Sequence, residues 1–196
     1  MKRIALAALL AATCWTAAPA QGRAGATPER YDHLFKKYSK RYFGPAYDWR
    51  VFRAQALAES NLSPEAHSKV GARGIMQLMP STFRQIQSAN ADFKSLDDPE
   101  WNIAAGICYD RTLWQLWTDH PTLDDRRDFM FASYNAGRGT LLRAQNAARA
   151  RQLEVGSWKC IAQIAPEVRG WRYRETLDYV EKIRAYVSGL EAAPPP

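Results

Sequence analysis

Histidine and cysteine are scarce in this chain, with three of each among 196 residues. No Cys or His cluster stands at metal-ligand spacing, so neither a metal centre nor a cofactor held by such residues is expected. The same scarcity gives no support to a Cys–His nucleophilic site. Long apolar runs are also missing. Ile4 to Ala12 is continuously apolar, and it is too short to cross a bilayer. Strict apolar–polar alternation is not sustained in several places, so little sheet is expected. No internal repeat and no second folded domain can be discerned. Acid is in deficit: 27 Lys and Arg face 20 Asp and Glu, a formal net charge of +7. That balance suits an anionic polymer, although solubility explains it equally well. The basic residues are scattered rather than gathered on one periodic face, which argues against nucleic acid as a partner.

The start of the chain reads as an export signal. Lys2 and Arg3 precede the apolar run, and Ala18-Pro19-Ala20 offers small residues for cleavage. Residues 1–20 are therefore expected to be a signal peptide, which places the mature protein in the periplasm or outside the cell. Cys14 follows Ala11-Ala12-Thr13, which lacks the pattern of a lipid-attachment box, so no membrane insertion is expected. Cleavage removes Lys2 and Arg3 and no acid, taking the formal charge from +7 to +5. Residues 21–29 are small and polar and read as a flexible lead-in. Residues 30–189 form one domain long enough to bury a core. Residues 190–196 form a Pro-rich tail. Two cysteines remain, Cys108 and Cys160. In an oxidising compartment they are expected to form a disulfide, contributing about 4 kcal/mol in the chain-entropy model. The other reading is two thiols serving as small core residues.

Helical spacing accounts for most of the rest. Helices are expected over Tyr31–Tyr42 and Tyr47–Ser60, from Ser81 and Thr82 to about Ala89, from Asp98-Pro99 onward, and over Asp124–Tyr134 and Thr140–Ala150. A last helix is expected from Glu175 onward. In the fourth of these, Ile103, Gly106, Ile107, Asp110, Leu113, Trp114 and Trp117 repeat on one face, and the tryptophans read as core. Residues 152–172 carry Gly156, Pro166 and Gly170 and read as a loop or short-helix segment. The fold class expected is all-α, with at most a very short hairpin near Gly71 to Met79.

The second helix carries the most pointed feature. Trp49, Phe52, Ala56 and Glu59 share one face, so the Glu59 carboxyl ends an apolar stripe. Loss of hydration there raises a carboxyl pKa, and an acid so tuned can protonate a leaving group. The bland reading is a helix that ends in water ahead of the breaker Ser63-Pro64. After the turn come Gly71, Gly74 and the run Ile75-Met76-Gln77-Leu78-Met79-Pro80. Gln77 is out of place in a plain core, and its amide offers a donor and an acceptor to a sugar or amide group.

These residues carry a resemblance. Glu59-Ser60 followed by GARGIMQLMP, Gly71 to Pro80, resembles the signature of the family 1 lytic transglycosylases of the soluble type. SYNAG at Ser133 to Gly137 is similar to the family's AYNAG, with Ser in place of the first Ala. ETLDYV at Glu175 to Val180 is similar to its ET-x-x-YV, and DPEWNIAAGICYD, Asp98 to Asp110, to the segment between. The likeness covers roughly Tyr47 to Val187. It implies a lysozyme-like domain with Glu59 as the catalytic acid. It implies that Ser68, Met76, Gln77, Tyr134, Asn135, Glu175 and Tyr179 line the substrate site, with Ser68 near the substrate's acetamido group.

The implied substrate is the glycan strand of peptidoglycan, and the implied reaction is non-hydrolytic. Glycosidases usually need two carboxyls flanking the bond, whereas here only Glu59 sits in a motif where chemistry is expected. Glu59 would protonate the oxygen between N-acetylmuramic acid and N-acetylglucosamine. It would then accept the proton of the sugar's own C6 hydroxyl as a 1,6-anhydro ring closes. No cofactor is needed. The resemblance also implies possible service to a secretion or conjugation apparatus. Two rivals share these residues: a hydrolytic goose-type muramidase, and a non-catalytic peptidoglycan-binding assembly protein. Oligomeric state is left open by the sequence.

Overall fold

A computed structural model describes residues 29–192, with side chains described as far as Leu190. The signal peptide expected over 1–20, nearly all of the lead-in and the last four residues of the tail lie outside the described residues. Among the described residues are eight α-helices, one short 3-10 turn and no strand, so the all-α expectation holds. They form two compact units, one of residues 29–111 with 182–192, the other of residues 112–181.

The first unit opens with α1 (Asp32–Phe43). Tyr31, Leu34, Phe35 and Tyr38 recur at helical spacing and are all buried. Asp32 in the first turn and Lys40 and Arg41 in the last suit the helix dipole. Helix α2 (Arg50–Ser60) buries Val51, Phe52, Ala54, Gln55 and Ala56. Two contacts tie α2 to α1. The Arg53 guanidinium meets Asp32 at 2.8 Å, and the Phe43 and Phe52 rings lie 4.9 Å apart. Residues 61–79 form an irregular strip, described below. Helix α3 (Pro80–Ala89) starts at a proline preceded by extended Met79, and sets buried Phe83 edge-on to Phe93 at 6.2 Å.

Helix α4 (Pro99–Leu116) begins where Asp98-Pro99 predicts. Asp98 Oδ1 accepts the N–H groups of Glu100 and Trp101 at 2.9 and 3.2 Å, satisfying two of the donors a helix start leaves over. Gly106 is a close-approach site, since a Cβ there would stand 2.7 Å from Met76 Cγ. The missing side chain lets the strip lie directly on α4.

The second unit holds the end of α4, then α5 (Leu123–Ala136), α6 (Arg138–Ala150), α7 (Trp158–Ile164), the 3-10 turn Ala165–Glu167 and the start of α8 (Tyr173–Ala192). Thr122 caps α5 by accepting the Asp125 N–H at 3.0 Å. Trp117, His120, Phe129 and Trp158 form an aromatic cluster, with Phe129 centroids 5.1, 4.2 and 5.9 Å from the other three rings. His120 Nδ1 donates to the Gly156 carbonyl at 2.8 Å, so this histidine is structural. Residues 152–172 contain a true short helix, α7, which buries Trp158, Ile161 and Ile164. Helix α8 continues to Ala192, past the point where the tail was expected to begin.

The disulfide expected between Cys108 and Cys160 is corrected by the structure, in which both are thiols. Cys108, on α4, is engaged with the Tyr42 phenol of α1 rather than with a second sulfur. Burial pushes its pKa up, against the opposing effect of that phenol. Burial also lifts Tyr42 to about 12. Cys160 belongs to α7, in the other unit.

Candidate active site

Glu59 occupies the last turn of α2 and is half-buried. Of the face predicted to carry it, Phe52 and Ala56 are fully buried, while Trp49 is half-exposed beneath the Lys36 ammonium, 4.8 Å from its centroid. One turn back on the same side stands Gln55, also fully buried. Immediately after the helix, Asn61 and Leu62 both take left-handed conformations, with φ of 54° and 62°. For a leucine this costs on the order of 1 kcal/mol, so neighbours must enforce it. Ser60 is one such neighbour. Its hydroxyl donates to the Ile75 carbonyl at 2.8 Å and accepts the Ser63 N–H at 3.1 Å. The residue after the acid is thereby stitched to the strip that follows.

That strip folds back on itself through antiparallel pairings of His67 with Arg73 and of Arg73 with Leu78. Arg73 and Leu78 exchange both main-chain hydrogen bonds, at 2.9 and 3.1 Å. Gly74 has a φ of +75° and no room for a Cβ, which would strike the Asn102 side chain. Asn102, on α4, is 1 % exposed. Its Oδ1 accepts the Met76 N–H at 2.8 Å, and its Nδ2 donates to the carbonyls of Arg73 and Leu96 at 2.9 and 3.0 Å. One side chain thus fixes three stretches of main chain.

The three site residues expected in the strip have different environments. Ser68 Oγ accepts the Ala72 N–H at 2.9 Å, which leaves the hydroxyl proton to be donated. Gln77, at a φ of 45°, donates through Nε2 to the carbonyls of Ala66 and Gly74 at 3.0 and 2.9 Å. Both amide hydrogens are therefore spent on main chain, and Oε1 is the atom a ligand could use. The donor-and-acceptor role read from sequence narrows to an acceptor. The Met76 side chain is fully buried over Gly106, so it supports the strip from beneath.

A second acid adjoins Glu59 from the core. Asp110, on α4, is 0 % exposed and accepts one hydrogen bond, from Gln55 Nε2 at 3.3 Å. Burial drives its pKa well above the ordinary carboxylate range. The Gln55 bond opposes that rise and the charge of Glu59 adds to it. Burial therefore favours the protonated form of Asp110.

Tyr134, Asn135, Glu175 and Tyr179 lie in the second unit. Asn135 Oδ1 accepts from the Thr176 hydroxyl at 2.8 Å, and that hydroxyl accepts the Trp171 Nε1–H at 3.0 Å. The chain of bonds joins α5 to the start of α8 and orients the Asn135 amide. Tyr134 is half-buried beside it on α5. Glu175 pairs with Arg172 at 3.1 Å in the first turn of α8, and Tyr179 is 8 % exposed. Ser133 explains its own departure from the AYNAG pattern. It is fully buried, and its hydroxyl accepts the Trp117 Nε1–H at 2.9 Å. Ser133→Ala restores the family residue yet is expected to destabilise the chain by about 1–3 kcal/mol, because it strands a buried indole N–H. Thermal unfolding of the variant checks this, and an unchanged or raised Tm would contradict it.

Gln55, Ser60, Asn102, Asp110 and Thr176 were not singled out as site residues from the sequence. A signal for two of them was present: Asp110 is the one acid on the apolar stripe of α4, and Gln55 stands four residues before Glu59.

Residues 34–155 match the family model described as "Transglycosylase SLT domain". A membrane-bound lytic murein transglycosylase F of Vibrio cholerae is 29 % identical over 172 residues, covering 82 % of this chain and 31 % of that protein. The protein of the same description from Maricaulis maris is 32 % identical over 174 residues, covering 83 % of this chain and 36 % of its own length. The chain thus spans about a third of the length of these curated relatives. Among solved structures, the 70 kDa soluble lytic transglycosylase of Escherichia coli superposes with a TM-score of 0.64 at 29 % identity, over 82 % of this chain and 24 % of that one. The acid on α2, the strip anchored to α4 and Asn135 all lie within the matched residues 34–155, and the chain belongs to the transglycosylase SLT domain family.

Proposed function

We propose that this chain is a peptidoglycan lytic transglycosylase that cleaves the β-1,4 bond between N-acetylmuramic acid and N-acetylglucosamine without consuming water. Glu59 gives its proton to the glycosidic oxygen as the C1–O bond breaks. The substrate's acetamido oxygen shares the charge developing at C1. The carboxylate of Glu59 then takes the proton of the C6 hydroxyl, whose oxygen bonds to C1 and closes the 1,6-anhydro ring. Glu59 is left protonated, so the cycle balances. Ser68, the Gln77 Oε1, Tyr134 and the oriented Asn135 amide are assigned to the sugar substituents, with Glu175 and Tyr179 in support.

The observation that supports this reading over hydrolysis is the complete burial of Asp110. A two-carboxyl hydrolase needs an ionised partner within roughly 5–9.5 Å of the acid, open to substrate or water. The acid that interacts with Glu59 inside its own unit is fully buried, so it is closed to substrate and water, and burial favours its protonated form. The soluble enzyme named above has also been solved with bulgecin A, and relatives described as murein transglycosylases favour the same substrate class here. The reading places the mature chain in the periplasm or outside the cell, after loss of residues 1–20. It admits recruitment by a secretion or conjugation apparatus for local wall opening. No helix among the described residues is long and apolar enough to cross a membrane.

The test is digestion of purified peptidoglycan by the full chain, with the products weighed by mass spectrometry. Anhydro-muropeptides, lighter by one water than their hydrolysed counterparts, are expected. Products with reducing ends alone would assign the chain to hydrolysis.

A further inference from the structure

Asp110 has one hydrogen bond in a place with no access to water. Its Oδ1 receives Gln55 Nε2–H at 3.3 Å. Its Oδ2 and the Gln55 Oε1 are both buried without a hydrogen-bond partner. Two orphaned oxygens, one on each member of this hydrogen-bonded pair, are costly if both act only as acceptors. They satisfy each other if one carries a hydrogen. A carboxylic acid and a primary amide match in this way: the amide N–H donates to the acid C=O, and the acid O–H donates to the amide C=O. An ionised Asp110 cannot close that ring. It would leave a fully buried charge with a single neutral donor, a state that proteins avoid by keeping the proton.

We propose that Asp110 is a proton-carrying positioning residue, whose carboxylic acid and the Gln55 amide form a two-bond ring that fixes the helical turn below Glu59. Gln55 precedes Glu59 by one turn on the same face of α2, so locking its amide to α4 locks the base from which the Glu59 side chain projects. The retained proton also keeps this neighbour of Glu59 uncharged. The titratable groups that interact with Asp110 are Glu59 from α2 and Cys108 and Tyr109 from its own helix. None of them is a cation that could stabilise an Asp110 carboxylate. The stability arm of the proposal is independent of the enzymatic reading. The positioning arm rests on that reading.

The sign of the linkage follows from the proton. An acid whose folded pKa lies above its unfolded value, about 3.9 for Asp, stabilises the fold fully below that value. The contribution is lost progressively as pH rises toward the folded pKa. Asp110→Asn is the decisive variant, because a second amide closes the same two-bond ring with no proton to lose. Unfolding by urea is measured for the wild type and D110N between the unfolded Asp pKa and mildly alkaline pH. The unfolding constant of the wild type relative to D110N is expected to rise roughly tenfold per pH unit until the folded pKa is reached. A ratio that is flat, or that falls with pH, would show an ionised Asp110 in the fold and overturn the proposal. So would failure of D110N to fold, since the amide supplies both bonds. For the positioning role, Asp110→Leu is expected to lower kcat by roughly tenfold, and D110N to recover most of that loss. Equal kcat in the two variants overturns the positioning role while leaving the proton assignment to the urea data. Absence of turnover in the wild type would instead sink the enzymatic reading.

Discussion

Glu59→Gln is expected to lower kcat on peptidoglycan by roughly 10²–10⁴-fold, the range that a positioned acid–base group supplies. The substitution removes one titrating proton and almost no volume. The residue is half-buried at the end of α2, so no cavity forms and no packed neighbour is displaced. The fold should survive with its Tm changed by a few degrees at most. The loss should fall on kcat rather than KM, because the proton is needed only as the bond breaks. In the proposed reaction one carboxyl both donates and accepts, so protonation and ring closure both fail in the variant. A rate within a few-fold of wild type would mean that another group supplies the proton.

Asn102→Ala has the largest expected effect on stability. Three main-chain groups, the Met76 N–H and the carbonyls of Arg73 and Leu96, depend on this one amide. The site is 1 % exposed, so water cannot replace the amide without opening the fold. Stranding buried groups costs about 1–3 kcal/mol each, offset in part by relaxation of the strip. A net loss of about 3 kcal/mol is expected, which lowers Tm by about 10 °C in a domain of this size. Activity should fall as well, because the strip that carries Ser68 and Gln77 loses its anchor. Calorimetry alongside turnover of soluble glycan checks both. A variant with normal Tm would show that the strip is held by its own pairings. Asn102→Asp should be nearly as damaging, since it keeps the acceptor for Met76 but removes the donor for the two carbonyls.

The sequence foretold the elements that depend on local chemistry. Asp98-Pro99 signals a helix start by itself, and α4 begins there. The mix of aromatic and basic residues from Tyr31 to Tyr42 predicts α1 to within a residue at each end. Glu59 and Gln77 stood out because each is polar in an apolar context. What stayed hidden depends on partners remote in the chain. Gln55 and Asp110 are 55 residues apart, and Asn102 meets Met76 across 26. No periodicity reveals which polar side chain will answer which. Ser133 looked like a small deviation from a motif until Trp117, 16 residues earlier, supplied its donor. Helix α7 was obscured because Gly156, Pro166 and Gly170 surround a helix of only 7 residues. The disulfide expectation failed for a related reason. Two cysteines and an oxidising compartment make a bridge reasonable, but pairing is decided by which neighbour each thiol meets, and Cys108 meets Tyr42.

The Gln77 amide shows how the sequence can mark a residue and leave its hydrogen bonding unread. Its position in the strip was legible, and its exhausted donors were not, because Ala66 O and Gly74 O come within reach only after the strip folds back. A ligand group facing Gln77 must therefore donate, as a sugar hydroxyl or an acetamido N–H can.

Digestion of peptidoglycan in water enriched in the heavy oxygen isotope bears most directly on whether Glu59 works without a second carboxylate. Cleavage by intramolecular attack of the C6 hydroxyl leaves no solvent oxygen in the product, so the new muramic acid ends should appear at natural isotopic mass and in anhydro form. Heavy oxygen at C1 of those ends would show that water attacks the sugar, and would contradict the single-acid mechanism.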